Sequence, residues 1–315
     1  MKPLEKQLLP YLSLLSATLL WASSFVALKI AFRNFDPMFV IFSRMLVGSI
    51  CFLFLFRLYQ DTSIHKKDLF SLFLLVFFEP CLYFLFEAKA LQYTTASQAG
   101  MISAFLPMLV AVGAFFVLKE NLTPKILTGL FISIAGVFWL SLSGTPALDA
   151  PNPALGNFYE FLAMIFAAGY TIVLKKLTRR GYPALFLTAI QAFAGSIFYF
   201  PILFLPSTEL PVSFDPVSLG AIVYLGSAVT LGAYACFNYG VSQIPAGQAA
   251  AFVNLIPVFS LLLGIIILKD TLSAQQCVAC LIIFSGLLIS QDVKMKGIKK
   301  MVPALVKRSN SDTPR

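Results

Sequence analysis

Apolar residues occupy this chain in long blocks separated by short polar breaks, and most blocks have the roughly 20 residues that a helix needs to cross a bilayer. The blocks run from Leu8 to Ala31, Met38 to Tyr59, Leu69 to Leu91, Ala96 to Leu118, Lys125 to Ser143, Asn157 to Leu174, Ala184 to Leu205, Val217 to Tyr239, Ala246 to Leu268 and Gln275 to Ser290. They predict ten transmembrane helices and no soluble module. The first block is long, lacks a small-residue cleavage site and is followed by many more, so it reads as a retained span and not a removable signal peptide.

The blocks repeat. Sliding the chain on itself by about 150 residues lays the fourth and fifth blocks on the ninth and tenth without a gap. Ala96, Gln98, Ala99, Pro107, Leu118, Lys119, Leu122, Ile132 and Gly136 then fall on Ala246, Gln248, Ala249, Pro257, Leu268, Lys269, Leu272, Ile282 and Gly286. Five spans per half is an odd number, so the second copy enters the membrane in the opposite sense. The expected fold is an all-α integral membrane protein of ten transmembrane helices in two inverted-topology repeats of five. Residues 1–148 form the first repeat, 149–291 the second and 292–315 a basic cytoplasmic tail. Repeats of this kind enclose a substrate site at their interface, near the bilayer midplane.

Pro107 and Pro257 fall near the middles of their blocks, where a proline removes a donor and frees a carbonyl. Each predicts a kink, and both are candidates for gating hinges. Small residues at Ala96, Gly100 and Ala104, and at Ala246 and Ala250, allow close helix approach around them. Gln98 and Gln248, related by the repeat, lie near opposite membrane faces and are expected to gate one side each.

A charge in mid-span costs about 2.5–3.5 kcal/mol on insertion scales, so such residues need a reason. Every aspartate falls in a loop, a tail or a helix end, which leaves Glu79, Glu87 and Glu160 as the carboxylates inside spans. Glu79, Tyr83 and Glu87 are spaced i, i+4, i+8 and so share one face of a helix. We expect Glu79 near the midplane as a proton-coupling or cation-binding carboxylate, and Glu87 nearer the outer end, beside Lys89. Ser227, Thr230, Tyr234 and Asn238 describe a second face, on the pseudo-equivalent eighth span. Two opposed polar stripes suit a water-filled cavity between the repeats, and Asn254 lies deep in the ninth block. Arg44, on the second span, reads as a structural partner for carboxylates or carbonyls.

Composition and charge agree with this picture. The chain is 59% hydrophobic and 12% charged, against about a quarter charged for a soluble domain. The net charge of +9 follows topology and does not point to nucleic acid. With the N-terminus inside, the outer loops hold only Lys29, Arg33, Lys89 and Lys269, while the inner loops and tails hold all the other basic residues except Arg44 of the second span. That bias predicts both termini in the cytoplasm. Cys51, Cys81, Cys236, Cys277 and Cys280 fall within spans and read as small apolar side chains. Cys277 and Cys280 form a CxxC, but a zinc site needs two more ligands and the single histidine, His65, sits in a loop. No metal or cofactor is expected.

The motifs resemble the drug/metabolite transporter superfamily, and specifically its ten-span EamA-type permeases, over nearly the whole chain. The resemblance is carried by Trp21-Ala22-Ser23-Ser24-Phe25, by Pro37 and Arg44, by the run from Ala90-Leu91 through Tyr93-Thr94 and Pro107 to Leu118-Lys119-Glu120, and by a second copy ending Leu268-Lys269-Asp270. It implies a secondary transporter whose cavity is walled by the first, third, fourth, sixth, eighth and ninth spans, with Trp21, Ser24 and Tyr170 on those walls. Members move amino acids, other metabolites, nucleotide sugars or cationic drugs. Glu79, Tyr83 and Glu87 depart from a third span that is usually apolar in such permeases, which makes them the lead to specificity.

The expected function is therefore alternating-access transport of a small cationic, zwitterionic or neutral metabolite such as an amino acid, with protons as a coupled species and export as the favoured direction. A bacterial inner membrane is the expected location. A facilitative uniporter or exchanger, or a multidrug-type efflux protein, is the alternative. Histidine-based enzymes lack their histidine, aspartyl intramembrane proteases lack two buried aspartates, and pumps lack a phosphate-cradling loop. Carboxylates with few basic groups argue against phosphorylated substrates.

Overall fold

Helix starts follow short-range chemistry. Asp36, Asn152 and Asp215 each precede a proline and each accepts a backbone N–H from the turn that follows, at 2.8 Å from Met38, 3.2 Å from Leu155 and 2.8 Å from Ser218. The proline occupies a first-turn position where no donor is needed. At Asp215, outside the span, the bond from Ser218 holds the carboxyl below the usual carboxylate range.

A computed structural model describes residues 3–119, 123–143, 146–148, 150–213, 215–244, 249 and 251–290. Five helices are α1 (Pro3–Ala31), α2 (Pro37–Phe54), α5 (Pro124–Leu142), α6 (Pro153–Thr178) and α10 (Ala274–Ser290). The other five are α3 (Lys66–Tyr93), α4 (Ala96–Val117), α7 (Ala184–Phe204), α8 (Pro216–Gln243) and α9 (Phe252–Leu268). Seven have the length and apolarity to cross a membrane, and the apolar stretches of α5, α9 and α10 are shorter. Phe54, Phe131, Phe138, Ile197 and Leu281 project from the outer surface, a belt that suits lipid and not water. Gln248, Glu120, Leu122, Ala246, Ala250 and the basic tail lie outside the described residues.

The second span is shorter than its apolar block. The block continues to Tyr59, but the helix ends at Phe54, and the Tyr59 hydroxyl turns back to donate to Phe52 O at 2.7 Å.

The two halves match in place. α3 covers 66–93 and α8 covers 216–243, a shift of 150 at both ends. α1 and α6 start at Pro3 and Pro153, and α5 and α10 at Pro124 and Ala274. Lys119 and Lys269 are the two described non-glycine residues with positive φ, at 59° and 63°. Contacts pair in the same way: α6 packs on α3 and α4, while α1 packs on α8 and α9. Equivalent helices meet across the centre, α2 on α7, α4 on α9 and α5 on α10. Ser49 and Ser196, on α2 and α7, share a hydrogen bond of 2.9 Å on that line.

Candidate functional site

Four helices are interrupted near their middles, two in each half. α4 tightens into a 3-10 turn at Ser103–Phe105 before Pro107, and α9 does the same at Ala251–Leu255 before Pro257. Both prolines thus stand at the start of a second helical segment, each just after a change in the helical hydrogen-bonding pattern. α3 widens into a π-segment at Phe77–Leu82 and α8 into one at Leu225–Ala233, a device that often marks functional positions.

The break in α3 alters one expectation. Glu79 has extended backbone (φ −147°, ψ 117°) and its peptide bond to Pro80 is cis, so Glu79 is not on a continuous helix with Tyr83 and Glu87. Pro80 brings no N–H and leaves nearby carbonyls to be satisfied from outside. α7 supplies the partners: Gln191 Nε2 donates to Glu79 O at 3.0 Å, and the Tyr199 hydroxyl donates to Cys81 O at 2.6 Å. Sequence reading did not single out Pro80, Gln191 or Tyr199, although a proline beside an intramembrane glutamate was a visible signal for the break.

The interruptions surround one cavity. Ser103 and Leu106 of α4 and Val253 and Ile256 of α9, residues related by the 150-residue shift, line it together. Trp21 and Ser24 of α1, Tyr170 and Thr171 of α6, and Tyr234 and Phe237 of α8 complete an aromatic lining. Trp21 meets Tyr234 edge-on at 5.1 Å, and Tyr170 stacks on Phe237 at 6.4 Å. The expected wall helices all contribute, and Glu79, Tyr83 and Glu87 face the space together despite the break.

α2 also contributes, contrary to its expected place outside the cavity. Arg44 is 1% exposed and lines the space. Its Nε donates to Thr230 Oγ1 at 3.0 Å, its guanidinium lies 4.1 Å from the centre of the Phe84 ring, and its Nη1 is 3.8 Å from Glu87 Oε2. Glu87 therefore faces Arg44 and not Lys89, whose ammonium lies over the Tyr159 ring at 5.9 Å. Depth explains the correction: at 2% exposure a carboxylate is drawn to a charge sharing its low-dielectric surroundings. The Tyr83 hydroxyl donates to the other oxygen, Glu87 Oε1, at 2.6 Å, and Tyr234 lines the cavity beside Glu79.

Other expected site residues sit apart. Asn238 is held inside the protein, accepting from the Tyr170 hydroxyl and donating to Thr188 Oγ1 at 2.6 Å. Ser227 spends its hydroxyl on Val223 O at 2.6 Å, so of the eighth-span stripe only Tyr234 reaches the main cavity, with Thr230 behind it on Arg44. Gln98 accepts from Asn157 Nδ2 at 3.0 Å near one end of the bundle. Asn254 is buried outside the lining, its Oδ1 without a partner among the described residues. Lys175, expected among loop charges, is buried and donates to Val241 O and Ile244 O at 2.7 and 2.6 Å, capping the end of α8.

The cavity leaves about 30 Å³ for the centres of water-sized molecules, room for about two waters at roughly 10–15 Å³ each. A metabolite needs more, so the walls must part to admit one. Among the described residues no cluster of three metal-ligating side chains occurs.

Known proteins resemble this chain along most of its length. The model of the EamA-like transporter family matches residues 8–142 and again 154–290. Transporter YetK of Bacillus subtilis is 26% identical over 91% of this chain and 88% of its own. A transporter of Archaeoglobus fulgidus is 25% identical over 89% and 96%. The protein PecM of Dickeya dadantii is 28% identical over 65% and 68%. One crystal structure superposes with a TM-score of 0.64 at 20% identity, covering 90% of this chain and 98% of its own, a likeness of fold. With two family matches laid over two five-helix halves and a cavity between them, the chain belongs to the EamA-like transporter family of the drug/metabolite transporter superfamily, and it is a membrane transporter, not an enzyme.

Proposed function

We propose that the protein is a secondary active transporter that moves a small amino acid or similar zwitterion by alternating access, with both termini in the cytoplasm of a bacterial cell. One observation carries the substrate reading. Three buried polar atoms lack a hydrogen bond among the described residues and belong to side chains lining the same cavity: Trp21 Nε1, and Arg44 Nη1 and Glu87 Oε2, which face each other at 3.8 Å, too far for a hydrogen bond. Leaving one such atom unsatisfied costs about 1–3 kcal/mol, so a ligand that satisfies all three gains accordingly. Two are donors and suit a carboxylate, while the third is an acceptor and suits an ammonium. Glu79 adds a second acceptor group, and the aromatic lining suits an apolar remainder.

The paired breaks at Pro107 and Pro257 supply matched flexible points in the two halves, and we assign them the hinges. Gln98 and Gln248 are assigned to the two ends, as gates.

Counterflow into proteoliposomes of purified protein tests the reading. Zwitterionic amino acids are expected to exchange saturably, and their amides and N-acetyl derivatives to compete about tenfold worse for each charge removed. Equal competition by the one-charge analogues overturns the zwitterion, and flux that stays linear with concentration overturns a transporter in favour of a channel.

A further inference from the structure

Glu160 is not among the residues lining the cavity, yet it is a charged residue buried without a hydrogen bond among the described residues. It is 0% exposed, and neither carboxyl oxygen has a hydrogen-bond partner among the described residues. A fully buried, unpaired carboxylate is costly unless it is neutralised.

Helix register locates its neighbour. α3 and α6 run antiparallel, so residues that meet have numbers with a nearly constant sum. Phe78 packs against Gly169 and Ala90 against Gly156, and Phe86 faces Tyr159 at 6.2 Å. Those sums are 247, 246 and 245, and the ring pairs Phe78–Phe166 and Phe86–Phe166 give 244 and 252, so Glu87 and Glu160 (87 + 160 = 247) stand within about one helical turn of each other, and Glu87 is the charge that acts on Glu160. The pair therefore holds three oxygens without a hydrogen bond among the described residues, both of Glu160 and Glu87 Oε2, which has only the Arg44 guanidinium at 3.8 Å.

The groups around Glu160 make one neutralising cation necessary. From α3 come Tyr83, Glu87 and, deeper, Glu79, and Arg44 of α2 acts on both carboxyls of that helix. α4 packs Phe105 on Phe161 and has no titratable residue between Ala96 and Val117. α5 carries only Lys125, at its start, and α8 brings Tyr234. Lys89 is taken up over the Tyr159 ring. Arg44 balances one carboxylate of the pair, and no ion pair reaches the second among the described residues.

We propose that Glu87 and Glu160 together hold one exchangeable proton, and that this pair, one layer behind the substrate cavity, is the coupling site of the transporter. The proton lies between one oxygen of each carboxyl as an O–H···O⁻ bond, so the pair carries a single negative charge that Arg44 balances. Glu87 faces both Glu160 and the cavity, so a substrate ammonium reaching Oε2 adds positive charge beside the proton and favours its transfer to water in the cavity, which leaves as hydronium. No bond other than O–H is made or broken. The proposal rests on the zwitterion reading only for this last link.

Two measurements test it. In proteoliposomes, wild type is expected to accumulate substrate against a pH gradient, and Glu160→Gln to lose that accumulation while keeping counterflow at equal pH within a few-fold of wild type. Glu160→Gln that still accumulates like wild type, or wild-type accumulation that requires sodium in place of a pH gradient, overturns the proposal. Infrared difference spectra of purified protein, taken on shifting pH, do not depend on transport. Wild type should show a protonated-carboxyl band that is absent from Glu160→Gln, and identical spectra overturn the pair whatever substrate is carried. Should Glu160→Gln not fold, Glu160→Asp must shift the band, and an unshifted band counts against the pair equally. Failure of all wild-type counterflow with a band that disappears sinks only the substrate reading.

Discussion

The interruptions of α3 and α8 occupy the same place in the two halves and are built of different chemistry. In α3 the π-segment contains Glu79 and Pro80, and α7 must satisfy its carbonyls through Gln191 and Tyr199. In α8 it contains Val229 and Thr230, and α2 reaches it through Arg44. The neighbours match: Gly195 of α7 lies against Pro80, and Gly48 of α2 against Thr230. What is duplicated is the backbone device, a widened turn seated on a small residue of the pseudo-equivalent helix. What is not duplicated is charge, since Glu79 and Glu87 belong to α3, and α8 has no acidic or basic residue from Pro216 to Gln243. A fold that alternates between two faces benefits from like hinges in both halves, whereas recognition of one substrate needs its polar groups in one place only.

Arg44 is the bridge across this asymmetry, because it touches Glu87 of α3 and Thr230 of α8 at once. Arg44→Ala therefore gives the largest expected effect. It strands the Glu87 carboxylate and removes the acceptor's partner at Thr230, a loss of about 3–5 kcal/mol for a broken buried pair. Thermal unfolding in detergent should show it as a large fall in midpoint, with transport abolished. Arg44→Ala with wild-type stability would mean that the two interruptions are not held together through this side chain.

The sequence made the scaffold legible because its signals are local and strong. Ten apolar blocks, the interruptions at Pro107 and Pro257 and the 150-residue shift all survive in the structure. The site was legible in part. Glu79, Tyr83 and Glu87 stood out because charge inside a span is rare, but helix spacing misdescribed how they meet, since Pro80 removes Glu79 from the helix. Arg44 and Lys175 were misplaced for a related reason. A long basic side chain can reach well away from its own helix position, and neither spacing nor composition reports where it ends. Gln191 and Tyr199 were invisible because their partners are backbone carbonyls exposed by a break that periodicity does not show.

The seating glycines sharpen the comparison with a smaller effect. A Cβ on Gly195 would lie 2.8 Å from Pro80 Cγ and 2.6 Å from Met45 Sδ, and one on Gly48 would lie 2.8 Å from Thr230 Cγ2. The pyrrolidine ring cannot rotate away, whereas the threonine can turn at the expense of its bond to Arg44. Gly195→Ala should fall toward the upper end of the roughly 1–3 kcal/mol that overpacking costs, and Gly48→Ala toward the lower end. Unfolding midpoints of the two variants decide it, and a Gly48→Ala loss equal to that of Gly195→Ala would erase the distinction between a rigid and a yielding interruption.

The smallest effect lies where the halves are most alike. Ser49 and Ser196 share a hydrogen bond of 2.9 Å, and because the Ser196 hydroxyl also donates to Ala192 O at 3.1 Å, Ser49 is the donor between them. Interhelical hydrogen bonds inside membranes average about 0.6 kcal/mol, so Ser49→Ala should cost about that much. In Ser196→Ala the Ser49 hydroxyl can turn back to a carbonyl of its own helix, as helical serines do, so this variant should cost no more. The double variant should then be no worse than the costlier single one, because both remove the same bond. Additive losses in a double-mutant cycle would mean that each serine acts through its own helix, and that α2 and α7 are joined at the centre by packing alone.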